Sequence, residues 1–305
     1  MTHITWPEAL QDDPAAFKAL TQRPQIAWPT VALFLVALTL YVSSVVMGVK
    51  GLWPVGVSIA INAVCAYWMF TVGHDASHNS LSLYRWLNDG MGRVATLTLL
   101  PLPIFKAFRF IHMQHHRFSN EQDDPDYWVG NGSKLLLPLR CALMDLHYIV
   151  WYVPRLSSRP KAEILDSLFA AIGGIAVLTW LISSGWGTEV LLFWVLPGRL
   201  AIFFLALAFD YWPHSPYKAT DAENKYIATS VRSGWEWLLT PLLMSQNYHL
   251  VHHLYPLVPF YRYIKVWRAR ERFHLSKGPL IVTPGFNEMS TDDYLVKRGL
   301  AGKHA

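Results

Sequence analysis

Charged residues are scarce in this chain. Asp, Glu, Lys and Arg make up 15% of its 305 residues, while hydrophobic residues make up 52%; a typical soluble domain has about 25% charged residues. Cysteine is scarcer still, because Cys65 and Cys141 are the only two. The composition therefore predicts a membrane protein and excludes a disulfide framework or a CxxC metal or redox motif. We expect no nucleic-acid partner.

Several cofactor motifs are also missing. The sequence contains no HExxH zinc hydrolase motif, no GxGxxG dinucleotide motif, no CxxCH haem motif and no ferredoxin-type cysteine set. A redox enzyme with this sequence would therefore take its electrons from another protein.

Long apolar runs predict the architecture. Val31–Val49 and Val55–Gly73 each contain 19 residues without a charge, which is about 28 Å of helix and enough for one membrane crossing. Leu165–Ser184 and Val190–Tyr211 predict a second pair, with Arg199 in the middle of the last run. A charge at that depth should face the protein interior or snorkel, and a structural ion pair is the first interpretation of Arg199, with a direct catalytic role as the alternative. The predicted fold is all-α and integral to the membrane, with four transmembrane helices in two hairpins and a cytosolic helical cap that carries a metal site.

The remaining segments differ in kind. Residues 94–105 and 135–153 are apolar but interrupted by prolines or charges, which is typical of interfacial or re-entrant helices. Residues 5–21 predict short surface helices, with Thr5 and Glu8 spaced as a capping box and Asp13-Pro14 as a helix start. We predict cytosolic or interfacial helices at 1–30, the membrane domain with its cap at 31–275, and a cytosolic tail at 276–305.

Charge indicates the orientation. If both hairpins enter from one side, that side holds 24 of the 26 lysines and arginines, while the other side holds only Lys50 and the membrane holds Arg199. The positive-inside rule then predicts cytoplasmic termini and a cytoplasmic active site in a multi-pass protein, with a bacterial inner membrane as the expected location.

Histidine forms three clusters. In a helix, residues at i, i+3 and i+4 share one face, so the HxxHH pattern aims three imidazoles at one point. Neutral imidazole is the commonest protein metal ligand, and eight exceed what one four-coordinate ion can use. The pattern therefore predicts two metals, with these eight ligands: His74, His78, His112, His115, His116, His249, His252 and His253.

A ninth ligand is expected at His214, which lies one helical turn after Asp210 at the end of the last apolar run. Polar residues beside the clusters are candidates to orient the imidazole rings: Asp75, Asn79, Asp123, Asp124, Asp126, Asp210 and Asn247. The other four histidines, His3, His147, His274 and His304, have no such partners and are interpreted as ordinary.

The clusters carry a family resemblance. His74-Asp75-Ala76-Ser77-His78, His112-Met113-Gln114-His115-His116 and Asn247-Tyr248-His249-Leu250-Val251-His252-His253 resemble the three histidine boxes of the membrane fatty-acid desaturase superfamily. The surrounding sequence is most similar to the bacterial branch that includes carotenoid ring hydroxylases and acyl-lipid desaturases. The resemblance implies two irons, dioxygen as co-substrate, a lipid substrate, and an external electron donor such as ferredoxin with its reductase. It also implies the extra ligand at His214, but some members have asparagine where this chain has Asp210, so a direct role for Asp210 stays open.

Chemistry leaves several functions open. Oxidation of an unactivated C–H bond ends in a double bond if a second hydrogen is removed, and in an alcohol if oxygen is added. Fatty acyl desaturation is the first hypothesis, carotenoid ring hydroxylation the second, and oxidative decarboxylation of fatty acids to 1-alkenes the third. A metal-binding transporter is the alternative from a different class. A lipid substrate would need a long apolar channel, for which the candidates are first-hairpin and last-run aromatics, with core packing as the first interpretation of any individual one: Tyr67, Trp68, Phe70, Phe203, Phe204 and Phe209.

Overall fold

Helices dominate the computed structural model, which describes residues 14–300. The first half contains α1 (Pro14–Thr21), α2 (Trp28–Val49), α3 (Val55–Ser77), α4 (Arg85–Leu99), α5 (Phe105–Phe118), α6 (Tyr127–Gly130), α7 (Leu137–Ala142) and α8 (Met144–Tyr152). The second half contains α9 (Lys161–Leu181), α10 (Gly187–Val190), α11 (Leu196–Leu205), α12 (Trp212–His214), α13 (Asp221–Asn224), α14 (Glu236–Leu242), α15 (His249–Leu254), α16 (Tyr263–Ala269), α17 (Glu271–Leu275) and α18 (Thr291–Lys297).

Short irregular helices connect these elements. Short 3₁₀ helices occupy Lys134–Leu136, Val153–Ser158, Gln246–Tyr248 and Phe260–Arg262. Turns of π-helix occupy Ile182–Trp186, Leu191–Val195 and Ala206–Tyr211. Helix α1 contains the first described residue, Pro14, so Asp13 of the predicted Asp13-Pro14 helix start lies outside the described residues. The proposed capping box at Thr5 and Glu8 lies outside the described residues, as do His3 and His304.

Helices α2 and α3 form the predicted first hairpin. Their lengths of 22 and 23 residues suffice to cross a membrane, and Gly51 turns the chain between them with a φ of +67°. Helix α3 runs four residues beyond the apolar run to Ser77, so it places His74 in its last turn and His78 at its C-terminal cap.

The third apolar helix covers 54 residues, Lys161–His214, and has a kink at Gly185. Gly185 has a φ of +91°, a conformation that breaks the helix. A Cβ built on Gly174 would lie 2.2 Å from the carbonyl oxygen of Pro101, and one on Gly198 would lie 2.1 Å from that of Leu99. Residues on both sides of Gly185 therefore meet the same short segment, as the arms of a hairpin do.

A bent pair of helices completes the apolar part. Residues 134–142 and 144–158 meet at 77° and together resemble a broken span or a re-entrant loop, in line with the interfacial or re-entrant helices that we predict at 135–153. Within residues 14–300, three helices are long and apolar enough to cross a membrane, or up to four if this pair forms one span. The prediction of a helical membrane protein is confirmed at that level.

The C-terminal third packs into a cap with its own core of buried Tyr263, Trp267 and Tyr294. It includes a feature that the all-α prediction missed, a parallel pair of strands β1 (Ser230–Arg232) and β2 (Leu280–Val282). Three residues are too few to show the alternation that identifies a strand in sequence. Because β2 and Tyr294 lie in the segment predicted as a tail, that segment is packed on the cap.

The adjacent glycines of α9 provide a test of helix packing. Gly174→Ala should lower the melting temperature in detergent by several degrees, because the new methyl group collides with the Pro101 carbonyl and overpacking costs about 1–3 kcal/mol. Gly173→Ala is the matched control, since a Cβ there has open space and alanine favours helix. Thermal unfolding followed by circular dichroism checks both, and an equal response would contradict this packing.

Candidate metal centre

Two short helices present the HxxHH clusters. Helix α5 carries His112, His115 and His116 near its C-terminal end, and α15 carries His249, His252 and His253 along its whole length of six residues. Because three and four residues correspond to about one helical turn, each helix aims its three rings from one face. Of these six side chains, His116 and His253 are the least buried.

The predicted ligands converge in space. Two sets of four have ligand atoms within 4.8 Å of one another: His74, His78, His112 and His252 form the first, and His115, His214, His249 and His253 the second. His116 lies between them in a third group with His252 and His253. The structure thus brings all nine histidines together in clusters that are able to hold metal ions.

The Nε2 atoms face one another in the cluster. In the first set, Nε2 of His78 lies 2.8 Å from that of His112, and Nε2 of His74 lies 3.0 Å from that of His252. Nε2 of His116 lies 2.8 Å from the same atom of His252. Nitrogen lone pairs that converge at such distances in a buried site suit a cation, which they would coordinate together.

The second set is similarly close. Nε2 of His249 lies 3.0 Å from that of His253 and 3.2 Å from that of His214. Nε2 of His115 lies 3.3 Å from that of His253. All donors are nitrogens, and imidazole suits iron, zinc, copper and nickel. The donor set fits a first-row transition metal.

Outer partners fix the tautomers of the second set. Nδ1 of His115 lies 2.9 Å from Asp124 Oδ1, and Nδ1 of His214 lies 3.0 Å from Asn120 Oδ1. Nδ1 of His249 donates to Gln246 Oε1. Since these oxygens accept hydrogen bonds, each Nδ1 carries a proton, and the neutral rings of His214 and His249 direct their Nε2 lone pairs inward.

Hydroxyl groups orient two further rings. Tyr263 OH lies 3.0 Å from Nδ1 of His252, and Ser119 Oγ lies 3.3 Å from Nδ1 of His253. Sequence reasoning missed these partners together with Asn120 and Gln246. Ser119, Asn120 and Gln246 flank the clusters closely enough to have been considered, whereas Tyr263 lies ten residues beyond the last histidine and gives no local signal.

Electrostatics keep most of the rings neutral. Burial and the neighbouring imidazoles lower the pKa values of His112, His116 and His252 well below the ordinary histidine value. At His115, burial also lowers the pKa, but the carboxylates of Asp124 and Asp126 outweigh it and raise the pKa to about 10. Neutral imidazole is the form that binds metal, so the six cluster histidines with lowered pKa values outside the membrane helices are ready to ligate.

Of the predicted orienting residues beside the clusters, some contact a histidine ring and the others bind elsewhere. Asp124 hydrogen-bonds His115 and Asp126 approaches it to 3.2 Å, so both lie where an orienting residue is expected. Asp75 is 4.0 Å from His74 and binds Thr30 and the Phe260 amide instead. The side chain of Asn247 donates to Thr240 Oγ1, and Asn79 adopts a left-handed backbone with φ 56° at the end of α3. Asp123 meets Arg155 at the surface.

Asp210 lies in a different place from the one expected. On an α-helix it would share a face with His214, but residues 206–211 form a π-helical turn, which changes the angular offset between the two positions. His214 hydrogen-bonds Asn120 instead, while Asp210 lines the adjoining cavity.

The other histidines within the described part of the chain lie apart from the cluster. His147 stacks on Trp128 at 4.5 Å, and His274 stacks on Trp267 at 5.2 Å. Burial and then the nearby Arg270 lower the pKa of His274 to about 4. These packed positions agree with their interpretation as ordinary histidines.

An apolar cavity of about 470 Å³ borders the centre. Phe70 and Phe108 line the end next to the histidines, where Phe108 stacks on His112 at 5.9 Å. The cavity then passes between α4, α8 and α11 to Arg199 and Asp145. Along the last helix, the eleven residues from Arg199 to Asp210 correspond to roughly 16 Å.

The structure places one of the six candidate channel aromatics on this cavity and packs most of the others in the core. Phe70 lines this cavity, but the other five predicted aromatics do not. Phe204 is exposed on the apolar surface, and Phe209 packs edge-on against Phe70 at 4.9 Å. These aromatic side chains pack between helices, whereas small and aliphatic side chains form most of the cavity wall.

Arg199 forms the ion pair expected of a charge at that depth. Its two terminal nitrogens donate to both carboxylate oxygens of Asp145, at 2.7 and 2.6 Å. The partner was not predictable from hydropathy, since Asp145 belongs to the bent helix pair and not to either hairpin.

Comparisons with known proteins agree with this geometry. A family model described as fatty acid desaturase matches residues 51–284. An sn-1 oleoyl-lipid 12-desaturase of Picosynechococcus sp. is 26% identical over 66% of this chain and 64% of its own length. The chloroplastic omega-6 fatty acid desaturase of Glycine max is 26% identical over 77% of this chain and 60% of its own length.

A third relative has ferredoxin in its name. The sn-1 acyl-lipid omega-3 desaturase (ferredoxin) of Nostoc sp. is 26% identical over 70% of this chain and 68% of its own length. The chain spans less than two thirds of the length of the first two relatives. The matched family region covers more than half of the chain and all three histidine clusters, which confirms the predicted superfamily. The chain belongs to the fatty acid desaturase family of oxidoreductases.

Proposed function

We propose that this protein is a membrane di-iron enzyme that desaturates a fatty acyl chain, with the nine clustered histidines as iron ligands. The observation that carries the proposal is the convergence of two four-histidine sets beside an apolar cavity. A pair of irons there would supply the redox chemistry that couples dioxygen reduction to C–H oxidation. Imidazole is among the ligands that suit iron.

The reaction balances with an external reductant. Desaturation removes two hydrogens from adjacent carbons, and dioxygen with two further electrons and two protons gives two waters. We propose a ferredoxin-type donor with its reductase, a proposal supported by the name of the Nostoc relative and by the lack of cofactor motifs in this chain.

The cavity residues position the acyl chain. Phe70 and Phe108 form the wall beside His74 and His112, so methylene groups that pass between them lie next to the metal site. The lining is almost wholly apolar and excludes water, which prevents side reactions of an oxidising centre. The Arg199–Asp145 pair lines the same cavity and is already neutralised, so it offers no free charge to the acyl chain.

We propose the predicted topology for the protein in the cell. Four crossings in two hairpins follow if the 54-residue helix crosses twice by reversing at Gly185. The excess of basic residues on the histidine side supports cytoplasmic termini and a cytoplasmic active site in a bacterial inner membrane.

Iron content tests the ligand assignment. The purified protein should contain about two irons per chain, as eight or more imidazoles exceed the need of one ion, and His115→Ala should lose iron and all product. His147→Ala is the control, because His147 stacks on Trp128 outside the cluster. Elemental analysis and turnover measure both. One zinc per chain, or full iron in His115→Ala, would refute the assignment.

Cavity filling tests the substrate path. Ala206 is 1% exposed and lines the cavity, so Ala206→Phe should reduce turnover at least tenfold through steric exclusion, with iron content unchanged. Ala176→Phe adds the same bulk at an exposed position of α9 and should leave turnover intact. Unaltered products from Ala206→Phe would show that the acyl chain lies elsewhere.

Product analysis separates the rival functions. Cells that express the protein are fed deuterated fatty acids or β-carotene, and lipids and volatiles are analysed by mass spectrometry. We expect loss of two hydrogens from an acyl chain. Gain of oxygen on the carotenoid ring would indicate hydroxylation, a volatile 1-alkene would indicate decarboxylation, and absence of any oxidised product with metal uptake would favour transport.

A further inference from the structure

Arg140 is a buried cation without a carboxylate partner. Arg140 is 8% exposed. Among residues 14–300, no carboxylate oxygen lies within 4.0 Å of its guanidinium nitrogens, the distance that defines an ion pair. One terminal nitrogen donates to the Ser133 carbonyl at 2.8 Å, whereas Nε has no hydrogen-bond partner. Burying an uncompensated charge costs several kcal/mol. An anion from outside the chain would remove that cost.

Arg232 shows what a purely structural buried arginine looks like here. It is 4% exposed and donates from both terminal nitrogens to backbone carbonyls, those of Thr283 and Trp212. Its guanidinium also stacks over Phe286 at 4.3 Å. Arg140 has one such carbonyl and instead borders an open pocket, so its remaining donors are available.

The pocket has the lining of an anion site. It measures about 240 Å³ and is lined by Arg140, Lys134, Asn131 and the tyrosines Tyr127, Tyr211 and Tyr217, with no acidic side chain among its lining residues. The Tyr217 hydroxyl is buried without a hydrogen-bond partner. Buried hydroxyls are normally paired, so a second unpartnered donor at this pocket points to the same missing acceptor.

Exposed leucines place the pocket at a membrane surface. Leu135 is 86% exposed, and Leu136 and Leu139 are also exposed, in the short helices that carry Lys134 and Arg140. Apolar side chains beside basic ones are typical of segments that lie at the lipid interface. Phosphate groups of lipids lie at that level.

We propose that this pocket binds the phosphate of a membrane glycerophospholipid through Arg140, Lys134 and the Tyr217 hydroxyl. The site is separate from the histidine cluster but adjacent to it, because the Tyr217 ring stacks on His214 at 6.3 Å. It does not depend on the proposed reaction. A lipid bound there anchors the cap to the bilayer beside His214 of the metal centre.

Binding of short-chain lipids tests the proposal. The purified full-length protein in detergent is titrated with dioctanoyl phosphatidylglycerol, dioctanoylglycerol, octanoate and inorganic phosphate, and binding is followed by tryptophan fluorescence and native mass spectrometry. We expect phosphatidylglycerol to bind and dioctanoylglycerol not to bind. Arg140→Gln and Lys134→Gln should each weaken binding about tenfold, because each removes a charge-assisted hydrogen bond to the phosphate.

Matched controls keep the test decisive. Lys265→Gln removes one exposed positive charge from the cap away from the pocket and should not change binding. If Arg140→Gln fails to fold, Lys134→Gln and Tyr217→Phe carry the comparison. Equal binding of dioctanoylglycerol, equal weakening by Lys265→Gln, or full competition by inorganic phosphate or octanoate would overturn the assignment to a phospholipid phosphate.

Discussion

The structure depends on keeping nine imidazoles close together with their lone pairs directed at a common centre. Without a cation, neutral nitrogens 2.8–3.3 Å apart cannot all be satisfied by one another, so the arrangement is held by what surrounds it. Asp124, Asn120 and Gln246 accept from the outer nitrogens, and these partners come from the loop after α5 and from the turn before α15. The rest of the cap is organised to bring those two segments together.

The membrane part supplies the opposite environment. Helix α3 extends past its apolar run and carries His74 into the cluster, so the end of one hairpin belongs to both regions. The cavity begins where Phe70 and Phe108 separate polar from apolar surroundings. The only charges lining its far end, Arg199 and Asp145, cancel each other. An apolar ligand can therefore approach a polar site without passing through water.

Sequence was most informative where a regular period was involved. The histidines were predictable because i, i+3 and i+4 define one helix face, and the hairpins because apolar length defines a crossing. Partners brought in from distant segments, such as Tyr263 and the Asp145 partner of Arg199, leave no periodic signal. The cavity lining was predicted only in part for a related reason, since empty space depends on how several helices pack. The ligand roles themselves stay a prediction until metal is measured.

Two helices each contribute to both histidine sets. On α15, His252 belongs to the first set and His253 to the second, and on α5 the same holds for His112 and His115. An ion in one set would fix the backbone that carries the ligands of the other, so the second ion would bind to a framework already ordered by the first. Loading would then be cooperative, and chains with a single ion would be a small fraction of a partly filled population.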